Sequence, residues 1–97
     1  MTWSIHFRPQ AEDEVLKARQ WYEERKAGLG AEFGDAVTDI ILRIVDHPLA
    51  FPIARGETRR AVLRRFPYAV YFRILDEDII VVAVHGRQHP RRWQHRT

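Results

Sequence analysis

The sequence predicts an α+β fold in the order β-α-α-β-β-β, with a helical hairpin packed on one face of a mostly antiparallel sheet. Three observations predict it. Two stretches, residues 10–26 and 33–45, carry apolar residues at helical spacing and are separated by Gly28-Leu29-Gly30. The second half alternates apolar and polar residues in short runs divided by turn signals. The last run, Ile79 to Val84, is apolar throughout.

Trp3-Ser4-Ile5-His6-Phe7 alternates and stops at Arg8-Pro9, which reads as a short strand. Pro9 suits the first turn of a helix, where its missing N–H would have no partner in any case. Glu12, Asp13 and Glu14 favour the positive end of that helix's dipole. Ala11, Val15, Ala18 and Tyr22 then form one apolar stripe, on which Tyr22 is a core residue and Trp21 lies to one side. The second helix carries Phe33, Val37, Ile40, Ile41, Ile44 and Val45 on one side. It ends at His47, because the residue before Pro48 is pushed out of helical space. A short Gly-bearing link makes the two an antiparallel hairpin.

Residues 49–57, with Pro52 and Gly56, read as a loop. Strands follow over residues 59–66, 68–75 and 79–85, the last two joined by a tight turn at Asp76-Glu77-Asp78. In the middle strand Tyr68, Val70, Phe72 and Ile74 share one face, and Ala69, Tyr71 and Arg73 the other. The final strand is apolar on both faces, which suits a central place in the sheet.

Residues 1–97 are short enough for a single domain and long enough for a modest core, burying roughly 60–70% of the unfolded surface. The chain has no cysteine, hence no disulfide, thiolate nucleophile or zinc–thiolate site, and it fits a reducing cytoplasm. The six-residue apolar run is far short of a membrane span. The first fifteen residues, with Arg8, Glu12, Asp13 and Glu14, do not read as a signal peptide. His, Asp and Glu show no metal-ligand spacing and there is no phosphate-binding glycine loop, so no cofactor is expected.

Charge is unevenly spread. Residues 1–50 hold six Lys/Arg and nine Asp/Glu, a net of −3, and residues 51–97 hold ten Arg and four Asp/Glu, a net of +6. Every cation of the second half is Arg, the side chain suited to bidentate contact with phosphate or carboxylate and to stacking on flat rings. The tail concentrates it: from His85 to Thr97 the chain carries Arg87, Arg91, Arg92, Arg96, three histidines and Trp93, and no acid. Such a half faces nucleic acid, an acidic protein segment, or solvent alone.

Read together, "FRPQAEDEVLKARQWYEERKAGLGAEF" and "RRFPYAVYFRILDEDIIVVAVHGRQHPRRW" are similar to the first strand with helical hairpin, and to the terminal β-meander with tail, of the RelE/ParE superfamily of bacterial type II toxin–antitoxin toxins, also labelled plasmid-stabilisation proteins. The resemblance spans nearly the whole chain. It implies a growth-inhibiting toxin, bound by a cognate antitoxin and acting in the cytoplasm. The superfamily divides by target. RelE-like members cut mRNA, usually on the ribosome, and ParE-like members poison DNA gyrase.

Metal-independent RNA cleavage needs a base for the 2′-hydroxyl, cations for the phosphate and an acid for the leaving oxygen. The resemblance implies that Arg87 is the phosphate-binding Arg of RelE-like members. Where those members often place a proton-transferring Tyr, this chain has Trp93, a donor that does not titrate. Where RelE has an Arg on the middle meander strand, this chain has Ala69, with Arg73 further along the same face. His85 and His89 flank Arg87 and are candidates for proton transfer, since a free imidazole suits an acid or base near neutrality; the alternative is that they only add polarity and stacking to the tail. His85-x-Arg87 also resembles the His-x-Arg that follows the last strand of ParE.

Arg64 and Arg65, with Arg59 and Arg60, form a second cluster, which is either a target contact or a charged, solvated sheet edge. On a strand Arg60 and Arg64 would share one face, and Arg59 and Arg65 the other. Arg91, Arg92 and Trp93 are candidate contacts to a base or a partner peptide, against a Trp93 that folds back to cap the sheet. The sequence leans toward a ParE-like toxin acting on gyrase. The alternatives are a RelE-like mRNA endonuclease and an inactive homologue that only binds its antitoxin. The antitoxin is expected on the basic sheet edge with Arg64, Arg65, Arg87, Arg91 and Trp93.

Overall fold

Pro9 both ends the first strand and opens the first helix. In the computed structural model, which describes residues 3–86, β1 (Ser4–Phe7) runs straight into α1 (Pro9–Arg25), followed by α2 (Leu29–Asp46). A 3₁₀ turn (Pro48–Ala50) leads to β2 (Ile53–Arg55), β3 (Thr58–Val62), β4 (Tyr68–Leu75) and β5 (Asp78–Gly86). The sheet order is β1-β5-β4-β3-β2. β1 pairs in parallel with β5, and the other neighbours are antiparallel. Both helices cover one face, giving the expected α+β arrangement.

Two elements correct the sequence reading. Residues 49–57 are not all loop, because β2 lies within them and makes a fifth, edge strand. All three of its residues are exposed, so no burial pattern marks them. Backbone pairing with β3 holds them instead, across a turn at Gly56 with φ 56°. Arg59 Nη1 donates to the Phe51 carbonyl at 2.7 Å and fastens the same corner. The expected strand over residues 59–66 also stops early, at Val62. Leu63 N–H donates to the Tyr68 carbonyl at 2.9 Å and Tyr68 N–H to the Phe66 carbonyl at 2.7 Å, which folds residues 63–67 into a tight link. Arg64 and Arg65 therefore lie off the strand and do not alternate across the sheet with Arg59 and Arg60. The turn before β5 narrows to Asp76-Glu77, with Asp76 left-handed at φ 56°, a conformation Asp tolerates.

The core sits between the helices and the sheet. The stripe of α1 enters it with Ala11 and Ala18 buried and Val15 and Tyr22 packed alongside, and α2 contributes Phe33, Val37, Ile40 and Ile44. From the sheet come Ala61, Val70, Phe72, Ile79, Val81 and Val84. Phe33 is its centre: Tyr22 stacks on it at 5.3 Å, and Phe66 and Tyr68 meet it edge-on at 5.2 and 5.0 Å. A buried ring of this kind is worth about 3–5 kcal/mol against truncation to Ala.

A bulge interrupts β5. Tyr71 pairs with Ala83 and Phe72 with Val81, which leaves Val82 as an extra residue. Ile79 and Val81 face the helices, Val82 and Ala83 both join the cluster on the other face with Ala69 and Tyr71, and Val84 returns to the helix side. The run is apolar on both faces for this reason, and β5 is interior, between β1 and β4.

The helical hairpin is closed by a carboxylate. Gly28, at φ 89°, precedes α2 and has no side chain to cap it. Glu23, on α1, accepts from Gly28 N–H at 3.0 Å and from Gly30 N–H at 3.0 Å. The two segments touch closely here, since a Cβ at Gly30 would come 2.6 Å from the Arg19 carbonyl oxygen. The two backbone hydrogen bonds hold the Glu23 carboxyl below the usual carboxylate range, against a smaller opposing effect of desolvation. A carboxyl depressed in the folded state stabilises the fold above its unfolded pKa, and that contribution disappears as pH falls through the folded value. Glu23→Gln is therefore expected to be less stable than the parent near neutrality, with the difference shrinking through the acid range below the ordinary Glu pKa. Denaturant melts of both proteins across pH check this; a difference independent of pH would contradict it.

Candidate functional site at the end of the last strand

The sheet has two ends, and the sequence candidates divide between them. At one end β4 begins and β5 finishes, with Tyr68 opposite Gly86 and Ala69 opposite His85. The link bearing Arg64 and Arg65 enters here, immediately before β4. Both arginines are exposed. Arg65 Nη2 donates to Glu32 Oε1 of α2 at 2.7 Å, and its guanidinium lies 5.3 Å from the Phe66 ring. An exposed pair of this kind contributes little stability and leaves the cation near the surface. Arg87, His89, Arg91, Arg92 and Trp93 follow Gly86 in sequence and lie outside the described residues.

Arg73 is at the other end. It sits four residues beyond Ala69 along β4, about 13 Å at strand rise, with Nη2 3.4 Å from Glu57 Oε2. The structure does not bring it to His85 or to Ala69, which is fully buried.

His85 is only 3% exposed. The bulge at Val82 turns it away from the helix side, and its ring lies 6.4 Å from that of Tyr71. Its Nδ1 is 3.1 Å from Glu14 Oε2. The other oxygen of that carboxylate, Oε1, accepts from Val84 N–H at 2.9 Å. The imidazole is set against that carboxylate and the Tyr71 ring.

Glu14 does not stand out in the sequence. It reads as an acid favouring the start of a helix, yet of the three acids only Glu12 lies in the first turn of α1, and Asp13 pairs with Lys17 at 2.9 Å. A signal is nevertheless there: position 14 falls three after Ala11 and four before Ala18, on the buried stripe. An acid there has to find a partner inside.

Beside this couple lies a hollow of about 520 Å³, lined among others by Glu14, Lys17, Trp21, Tyr68 and His85. Trp21, 48% exposed, forms its rim with the Arg25 guanidinium 3.4 Å above the ring. Burial, with a smaller effect of Tyr68, pushes the Tyr22 phenol up, so it stays neutral at any physiological pH. Among the described residues no three His, Asp or Glu side chains converge as metal ligands would, and no helix is long and apolar enough to cross a membrane. The arrangement sets Arg64 and Arg65 at the end of the sheet where β5 leads into the Arg-rich sequence.

Comparison with known proteins agrees with this fold. Among solved structures, a chain of the chromosomal ParDE TA system from P. aeruginosa matches with TM-score 0.65 at 16% identity, over 88% of this chain and 96% of that one. A mutant of E. coli toxin RelE in the free state matches with TM-score 0.69 at 16% identity, over 99% and 94%. A chain of the Mycobacterium tuberculosis toxin–antitoxin complex RelBE2 matches with TM-score 0.63 at 17% identity, over 90% and 100%. At such identities these likenesses bear on the fold alone. Curated proteins yield no match. The family model for the ParE toxin of the type II toxin–antitoxin system parDE matches residues 5–90. With nearly the whole chain covered, from the first strand to just past His85-Gly86-Arg87, the protein belongs to the ParE toxin family of type II toxin–antitoxin systems.

Proposed function

We propose that this chain inhibits bacterial growth by acting on DNA gyrase, through the Arg-rich segment that begins at Arg87, and that a cognate antitoxin holds it in check. The observation that carries the reading is the match of the ParE family model over residues 5–90. Two features support it against RNA cleavage. Ala69, fully buried, stands where RelE has an Arg, and His85 is buried against Glu14 rather than presented to a substrate. The test is direct. Purified protein is incubated with gyrase and plasmid, and separately with ribosomes and message. Loss of supercoiling or gyrase-dependent plasmid cleavage, with intact message, is expected. Cut message with unaffected gyrase would assign the chain to the RNA-cleaving branch.

Arg87 is proposed as the leading target contact, and Arg64, Arg65, Arg91, Arg92 and Trp93 as further contacts. It follows Gly86, the last described residue, in sequence. Arg87→Ala should abolish growth inhibition while shifting stability by no more than about 0.5 kcal/mol. Retained toxicity, or a large drop in melting temperature, would contradict the assignment.

An antitoxin partner is supported by relatives that were solved as toxin–antitoxin complexes. An acidic segment that folds on contact would gain steering from the +6 half and an aromatic anchor in Trp93. Occupying the basic sheet end would also block the target surface. Hydrogen exchange of free and bound toxin should show protection gathered at residues 63–68 and 85–97, and affinity should fall with added salt. Protection confined to residues 10–47 would place the antitoxin on the helical side instead.

A further inference from the structure

β1 is four residues long and covers only the first half of the nine-residue β5, from Asp78 to Val81. Arg8 N–H takes the Val81 carbonyl at 2.9 Å, and there the strand pairing stops, because Pro9 has no N–H and turns the chain into α1. The rest of that β5 edge would face inward with its backbone donors unmatched. Glu14, in the second turn of α1, fills the gap. One carboxylate oxygen takes Val84 N–H and the other lies against the His85 ring, two residues and one residue before Gly86. The Glu14 side chain is only 14% exposed. A nearly buried carboxylate that directs both oxygens to one strand end does more than complete a helix.

We propose that Glu14 is a positioning residue: its carboxylate stands in for the missing strand along β5 and holds the strand end, Val84 to Gly86, from which the sequence continues into Arg87. The proposal rests on the reading that Arg87 contacts the target. Glu14 need not touch that target. It acts by holding Val84 and His85, so that β5 stays paired up to Gly86 rather than fraying. Orientation of a contact group is worth large factors in potency when the group is otherwise free to swing.

The test compares the full-length parent with Glu14→Ala, Glu14→Leu and Glu14→Gln, by amide hydrogen exchange and by growth inhibition at matched expression. Glu14→Gln keeps a carbonyl for Val84 N–H and a group that can meet the His85 Nδ1, so it is the conservative rescue. Exchange at the Val84 amide is expected to rise at least about tenfold in Glu14→Ala and Glu14→Leu, the factor expected from losing one hydrogen bond to a charged acceptor. Val70 and Val81 amides should stay as protected as in the parent. Growth inhibition should fall about tenfold or more in the same two variants and return to near the parent level in Glu14→Gln. Unchanged exchange at Val84, or full potency in a folded Glu14→Ala, would overturn the proposal. So would a failure of both the Ala and Leu variants to fold, which would assign Glu14 to the fold rather than to the tail. The exchange arm needs no target. A parent protein without effect on growth would therefore count against the functional reading, whereas exchange at Val84 would still decide the role of Glu14.

Discussion

A nine-residue strand set beside a four-residue one leaves five residues of backbone edge to be satisfied by something else. That mismatch between β5 and β1 governs much of this molecule. A buried N–H without an acceptor costs about 1–3 kcal/mol, enough to remove a substantial part of a small protein's stability. The chain meets the requirement from the element that replaces the strand. α1 starts two residues after β1 ends, and an acid in its second turn reaches back to the edge that β1 abandoned.

α1 works in the same way at its other end. Glu23 accepts backbone donors of the residues that open α2, and Glu14 accepts one from β5. One helix thus ties the hairpin together and ties the hairpin to the sheet, with carboxylates used as substitutes for backbone carbonyls. Between these two ties lies the aromatic packing of Tyr22 with Phe33, Phe66 and Tyr68.

Most of the fold was legible because burial leaves a periodic trace. Residues 10–26 and 33–45 announced helices through their stripes, and Tyr68 to Leu75 announced its faces by alternation. β2 left no such trace, since its three exposed residues are held by main-chain pairing that any sequence can make. The early end of β3 was hidden as well: Leu63 and Phe66 are buried in a link rather than a strand, and burial alone does not say which. At the site, Arg64 and Arg65 come just before β4, so antiparallel pairing alone sets them at the end where β5 finishes. Arg73 shares a face with Ala69 but is carried away from that end by four residues of strand. Glu14 left no trace because the backbone donor it meets, Val84 N–H, is brought near only by the fold, 70 residues on.

The extra residue at Val82 has a consequence for how this chain can change over time. Val82 and Ala83 lie on the same side of the sheet, between two stretches that alternate strictly. Removing Val82 would join those stretches into one regular alternation, with Val84 still on the helix side and Gly86 still opposite Tyr68. Removing a second residue would have no bulge to absorb it, and everything beyond would exchange faces. The strand therefore holds one residue of slack, placed between the half that β1 pairs and the end that leads to Gly86.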